Sequence, residues 1–272
     1  MRVASSLVLL VLTMAAHAAE RPRIVSINPC IDAILVQVAD PQQIVGISHY
    51  SQDPRAASIP IEVARRFRAT SGTAEEVIAL EPDLVMSGPH VSLSTIFALE
   101  RLNVAIMKFS VADSVAQSEQ EIRDVARAVG EPVRGEKLIA AIEHAIADAR
   151  PRDSNTVPAL MWLSGGMVPG AGTLADELLR RTGFRNMSAA YGLKQWDVLP
   201  LEHLLASPPA LVLSLAPGEA MEDRILQHPA VMKLRERVPF RSYPFRLVQC
   251  GGPTIVEAVA RLSEVRRELA AP

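Results

Sequence analysis

Short apolar runs alternate with stretches whose apolar residues recur every three or four positions, and the alternation continues almost to the end of the chain. The runs read as strands at 23–27 (RIVSI), 44–48 (IVGIS), 84–87, 104–109, from Ala159 onward, 211–215 and 246–249. The periodic stretches read as helices at 31–39, 73–80, 94–102, 114–129, 174–182, 201–206, 222–237 and 254–269. Thr73 suits an N-cap, with Glu76 completing a capping box. A longer helix is expected from Pro132 to about Ala149. At 1.5 Å per residue it would run roughly 25–30 Å. Strands alternating with helices predict an α/β fold with parallel sheets covered on both faces.

One stretch recurs. Residues 75–87 (EEVIALEPDLVMS) align without gaps on 202–214 (EHLLASPPALVLS), an offset of 127 residues. Helix, proline break and apolar strand match in order. Together with the long central helix, the repeat predicts two similar lobes: residues 19–130, a connecting helix at 131–150, and residues 151–272. No single sheet should run through both.

Composition narrows the function. The 272 residues carry 28 basic and 30 acidic side chains, a net charge of −2, with no Lys or Arg run. Nucleic acid is therefore not an expected partner. Residues 1–18 have the charged start, apolar stretch and Ala16-His17-Ala18 end of a cleaved secretory signal, and no cysteine follows that could carry a lipid. An exported, soluble, monomeric protein of the periplasm is expected. In that compartment Cys30 and Cys250 are free either to pair or to stay as buried thiols. They should lie close together.

Open parallel sheets place ligands beyond the carboxyl ends of their strands. Five loops meet that condition: Ser26-Ile27-Asn28-Pro29-Cys30, His49 to Arg55, Ser87-Gly88-Pro89-His90, the glycines from Gly165 to Gly172, and Cys250-Gly251-Gly252-Pro253. The segment Gly170-Ala171-Gly172-Thr173 lacks both the P-loop and the dinucleotide patterns and reads as a tight turn. His49 and His90 fall on neighbouring loops without metal-ligand spacing. His144 and His203 read as helix-surface residues, and His228 as the start of a His-Pro interruption. No nucleophile motif is present. With aromatics at only 4%, Tyr50 and Trp196 stand out among polar neighbours as flat rings for a large planar ligand, whereas Trp162 belongs in a core strand.

With these residues in place, the chain resembles the periplasmic substrate-binding proteins of ABC importers for vitamin B12, ferric siderophores and haem. The resemblance runs through 23–29 (RIVSINP), 44–51 (IVGISHYS), 73–85 (TAEEVIALEPDLV), 172–179 (GTLADELL) and 200–205 (PLEHLL). It implies two α/β lobes on one rigid helix with the ligand between them. The ligand would meet Asn28, Cys30, His49, Tyr50, Arg55, His90, Trp196 and Cys250. The protein would hold no cofactor of its own, although the captured chelate would carry cobalt or iron. The partners implied are a membrane permease, engaged by Glu75 and Glu202, and the ATPase behind it. The Asn28-Pro29-Cys30 and Cys250-Gly251-Gly252-Pro253 segments depart from the best-known members. A free-metal (Zn or Mn) binding protein and a periplasmic enzyme on a similar fold are the rival readings.

Overall fold

The computed structural model describes residues 21–214 and 224–270. The expected signal segment, and the start of the helix expected at 222–237, lie outside them.

The first half forms β1 (Ile24–Ser26), α1 (Pro29–Val38), β2 (Ile44–Ser48), α2 (Ile61–Ala64), β3 (Ala69–Thr70), α3 (Ala74–Ile78), β4 (Leu84–Ser87), α4 (Leu93–Arg101) and β5 (Ala105–Lys108). Two helices follow, α5 (Val115–Ala128) and α6 (Pro132–Asp148). The second half forms β6 (Val157–Trp162), β7 (Met167–Pro169), α7 (Leu174–Arg181), β8 (Phe184–Asn186), α8 (Met187–Ala190), β9 (Trp196–Val198), α9 (Leu201–Ala206) and β10 (Leu211–Ser214). Then come α10 (Pro229–Leu234), β11 (Phe240–Ser242), α11 (Arg246–Gln249) and α12 (Thr254–Ala270).

Two separate parallel sheets result, ordered β3-β2-β1-β4-β5 and β11-β10-β6-β8. Setting β1 against β6, β2 against β8, β4 against β10 and β5 against β11, the shared strands take the same order. The 127-residue repeat falls on the equivalent pair β4 and β10, each preceded by a short helix, α3 or α9. The repeat is therefore structural.

The sheets do not stand apart. One apolar core gathers Ile34, Ile122 and Ile142 from the first half and α6 with Met161, Leu178 and Val259 from the second. The outer faces have smaller cores of their own, Val25, Val77 and Val85 on one sheet and Leu160, Trp162 and Val212 on the other. Trp162 is fully buried, as its strand position implied. Polar ties reinforce the junction. The Val115 N–H, at the start of α5, donates to Glu177 Oε2 on α7 at 2.8 Å, and the Gly252 N–H donates to Ser118 Oγ at 2.6 Å.

Cys30 and Cys250 are joined in a disulfide across 220 residues, with Cα atoms 5.1 Å apart. The glycines after Cys250 follow from this closeness. A Cβ on Gly251 would sit 2.6 Å from Ser118 Oγ, and one on Gly252 would sit 2.9 Å from Ile34 Cγ1. Gly252 also has φ +63°, a left-handed conformation that an L side chain resists.

Three local expectations change. The run 246–249 is helix α11, and the edge strand is Phe240–Ser242. A four-residue apolar run carries no decisive period; here the Leu247 and Val248 N–H groups turn back onto the Pro244 and Phe245 carbonyls. In the described part of 222–237, helix is confined to α10, because Pro229 makes a new start and His228 caps it, accepting the Ala230 N–H at Nδ1. The Thr73 cap forms, but Glu76 does not close a box. Its carboxylate accepts from Thr70 Oγ1 (2.9 Å) and the Ser71 N–H (2.6 Å), tying edge strand β3 to α3.

A cross-link over so long a loop should contribute about 2–5 kcal/mol, chiefly by restricting the unfolded chain. Cys30→Ser/Cys250→Ser protein should therefore keep its far-ultraviolet circular dichroism while its Tm falls by roughly 5–15 °C. An unchanged Tm would show that the shared core alone fixes the junction.

Candidate functional site

Strands β2, β1 and β4 are neighbours in a parallel sheet, so their carboxyl ends lie side by side. They deliver His49–Gln52, Asn28–Cys30 and Gly88–His90 to one edge. The second sheet presents the loops after β6 and β11, and the disulfide joins the segment after β11 to the start of α1. The loop ends of the two sheets are thus brought together covalently.

The residues at this edge have different tasks. Asn28 is buried, and its Oδ1 caps α1 by accepting the Cys30 N–H at 3.0 Å. Gly88 leaves room for it, since a Cβ there would lie 2.7 Å from Asn28 Nδ2. The sulfurs of Cys30 and Cys250 are bonded to each other rather than available as thiols. Arg55 is exposed and forms an ion pair with Asp53 at 3.1 Å. His90 is exposed at a turn after β4.

His49 and Tyr50 differ from these. They occupy a one-turn 3-10 helix, His49–Gln52, with ring centroids 4.1 Å apart and planes tilted by 35°. The His49 Nδ1 lies 3.2 Å from the Thr70 carbonyl oxygen. A carbonyl can only accept, so in this hydrogen bond Nδ1 is the donor. Tyr50 remains 53% exposed although its ring is apolar. The turn is held from behind. Gln52 Nε2 donates to the Ala64 and Phe67 carbonyls, and the buried Asp32 accepts from Ser48 N–H and Ser51 Oγ.

Trp196 belongs to a strand rather than a loop. β9 pairs antiparallel with β7, setting Met167 against Val198 and Pro169 against Trp196. Because side chains alternate along a strand, Met167, Trp196 and Val198 share one face. That face is solvent-exposed, at 43%, 39% and 56% respectively, while Val168 turns inward. The Gly-rich turn positions it. A Cβ on Gly170 would lie 2.6 Å from the Leu193 carbonyl, so only glycine lets the strand leading to Trp196 pack so closely. The Gly170 N–H donates to the Gln195 carbonyl and the Ala171 N–H to the Leu193 carbonyl. Sequence reasoning found Trp196 and overlooked Met167 and Val198; the apolar-x-apolar spacing of Trp196-Asp197-Val198 was the available signal.

Glu75 and Glu202 are the second residues of α3 and α9, which precede the equivalent strands β4 and β10, and both are exposed. His144 pairs with Asp148 on the surface of α6, and His203 meets the Tyr191 ring edge-on at 5.9 Å. Among the described residues, no three of His, Cys, Asp and Glu converge as metal ligands would, and no helix is long and apolar enough to cross a membrane.

Comparison with known proteins places this geometry. A family model described as periplasmic binding protein matches residues 24–235. The cobalamin-binding protein of Halobacterium salinarum is 24% identical over 174 residues, covering 62% of this chain and 47% of that protein. The chain thus aligns with about half the length of the curated relatives it matches. The periplasmic heme-binding protein RhuT from Roseiflexus sp. RS-1 superposes with a TM-score of 0.77 at 24% identity, over 92% of this chain and all of that one. The periplasmic vitamin B12 binding protein BtuF of Vibrio cholerae does so with a TM-score of 0.70 at 16% identity, over 93% and 99%. At these identities the likeness to the solved structures is one of fold.

Two carboxyl groups of the first half are unusual. Burial pushes Asp32 up to about 7, with the nearby Ser26 hydroxyl and hydrogen bonds from Ser51 and the Ser48 N–H pulling back. Burial, with a smaller contribution from Asp124, likewise pushes the half-buried Glu121 to about 7. A raised folded-state value means that the native protein binds its proton more tightly than the unfolded chain. Stability is therefore greater at low pH and is lost as pH rises toward 7. At about 1.4 kcal/mol per pH unit, Asp32 alone should account for a loss of about 2–3 kcal/mol between pH 5 and 8. Denaturant unfolding should show that decline in the natural protein, a shallower one in Asp32→Asn, and almost none in Asp32→Asn/Glu121→Gln.

Proposed function

The chain belongs to the periplasmic binding protein family, and from that premise we propose that it is the solute-binding component of an ABC importer, capturing a metal chelate built on a large planar ring. Haem and corrinoids are the two such chelates named by its relatives. The ligand lies between the two lobes, residues 19–130 and 151–272, with 131–150 connecting them, in a protein exported to the periplasm.

One observation carries this reading. Each half presents exposed rings or apolar side chains, the His49–Tyr50 pair after β2 in the first and Met167, Trp196 and Val198 on the separate β7–β9 ribbon in the second. Leaving apolar rings in water has a cost that a flat apolar ligand removes by covering them. A tetrapyrrole has two such faces. A ferric hydroxamate would instead call on Arg55, whose guanidinium already pairs with Asp53. His49 and His90, both exposed, complete the first lobe's contacts. A free-metal site has no converging ligand set to support it among the described residues.

Glu75 and Glu202 contact the permease, and through it the ATPase works on the bound complex. Their equivalent places on equivalent lobes give a two-point register for a partner with twofold symmetry, with charge-assisted bonds to arginine.

Protein purified from native periplasm should carry the visible bands of its ligand, which differ between haem and a corrinoid. Titration with haemin and cyanocobalamin then measures affinity directly. Truncating a buried aromatic anchor costs about 2 kcal/mol, so Tyr50→Ala and Trp196→Ala should each weaken binding about thirtyfold. Binding of neither probe, or affinity unchanged from the natural protein in both variants, would retire the reading. Separately, Glu75→Ala/Glu202→Ala should bind ligand normally yet fail to support uptake; full uptake by this double variant would leave the two carboxylates as helix-start residues only.

A further inference from the structure

We infer that Asp32 is a positioning residue for the ligand site: its buried carboxyl group latches the His49–Gln52 turn, and holds it more firmly when it carries a proton. The ligand part of this inference rests on the reading of Tyr50 given above; the latch itself does not.

The geometry is a clamp. Asp32 is in the first turn of α1 and has no exposure to solvent. Its Oδ2 accepts the Ser48 N–H at 2.9 Å and the Ser51 hydroxyl at 2.6 Å. Ser48 ends β2 and Ser51 lies within the turn, so one oxygen grips the chain on both sides of His49 and Tyr50. The other oxygen, Oδ1, is buried with no hydrogen bond. Ser26 lies nearby, but its hydroxyl donates to the Asn28 carbonyl at 3.1 Å.

A buried carboxylate oxygen without a donor is unfavourable as an anion and is the natural place for a proton. No countercharge relieves it. From β1 it is faced by Ser26, from β2 by Ser48 and from the turn by Ser51, and no charged side chain acts on it. The turn's own titratable groups, His49 and Tyr50, stack on each other, with His49 Nδ1 directed to Thr70. On α6, Arg134 reaches the opposite end of α1, at the Val38 and Ala39 carbonyls. Opening the turn would admit water to the carboxyl and return it to its ordinary acidity. By linkage, protonation favours the closed turn, and raising the pH toward 7, where burial has moved this group, favours opening.

The test uses the ligand-free protein first. Hydrogen exchange of the Ser48 amide, corrected for intrinsic base catalysis, should show protection falling about tenfold from pH 5.5 to 8. Asp32→Asn, neutral at every pH and of the same shape, should keep the low-pH protection throughout. Ser51→Ala removes a donor that favours the anion, so its midpoint should move to higher pH. A flat profile in the natural protein, an Asp32→Asn profile that follows it, or an unmoved Ser51→Ala midpoint would overturn the latch. Cyanocobalamin and haemin affinities should then fall along the same profile in the natural protein and stay level in Asp32→Asn. PH-dependent protection with level affinity for a probe that does bind would uphold the latch and strike Tyr50 from the ligand site instead.

Discussion

Everything else in the molecule depends on the apolar junction in which one face of α6 (Ile139, Ile142 and Ile146) packs with helices of both halves, joining two sheets that share no strand. Helices from both halves contribute to one core there, so neither half can move without opening it. Three further ties converge on the same region: the Cys30–Cys250 bond, the Gly252–Ser118 hydrogen bond and the Val115–Glu177 hydrogen bond. Large shared apolar contact plus a covalent bond opposes the relative domain motion expected of smaller interfaces. The loops at the strand ends are therefore carried on a stiff frame, and adaptation to a ligand is left to the loops themselves.

Those loops are positioned by residues whose hydrogen bonds or lack of a side chain serve the backbone. Asn28 caps α1, Asp32 and Gln52 hold the turn that bears Tyr50, and Gly170 admits the chain leading to Trp196. Each satisfies a backbone group or removes a steric conflict, and each thereby fixes an exposed side chain. Polar and glycine residues beside a site are usually weighed as candidate contacts. Here several are supports for the exposed apolar side chains beside them.

The sequence is informative in proportion to how local each cause is. Strand β2 has the expected bounds, β4 likewise, and the long helix differs by a residue, because alternation, periodicity and proline punctuation are all local signals. The two-lobe plan was legible through the 127-residue repeat. Strands β3, β7, β8 and β9 were not: each has two or three residues, too few for a period, and exists because a neighbour offers hydrogen bonds. The mistaken strand at 246–249 has the same origin. Of the candidate site, the exposure of Tyr50 and Trp196 was visible in the sequence as aromatics out of place. The Met167 and Val198 surface required the β7–β9 register, and the cysteine pairing required the junction, neither of which spacing encodes.

The cysteine pair also bears on why the site residues can remain exposed. A binding surface must keep apolar side chains in water until its ligand arrives, and that exposure opposes folding. Tyr50 on one half and Met167, Trp196 and Val198 on the other would be covered if the two surfaces collapsed onto each other. The shared core and the disulfide fix how the two halves sit together, so such a collapse would have to disturb the junction. Stability stored in the junction thus helps to keep these apolar side chains exposed. The glycines beside Cys250 serve the same junction: they permit the close approach to Ser118 and Ile34 that makes it tight.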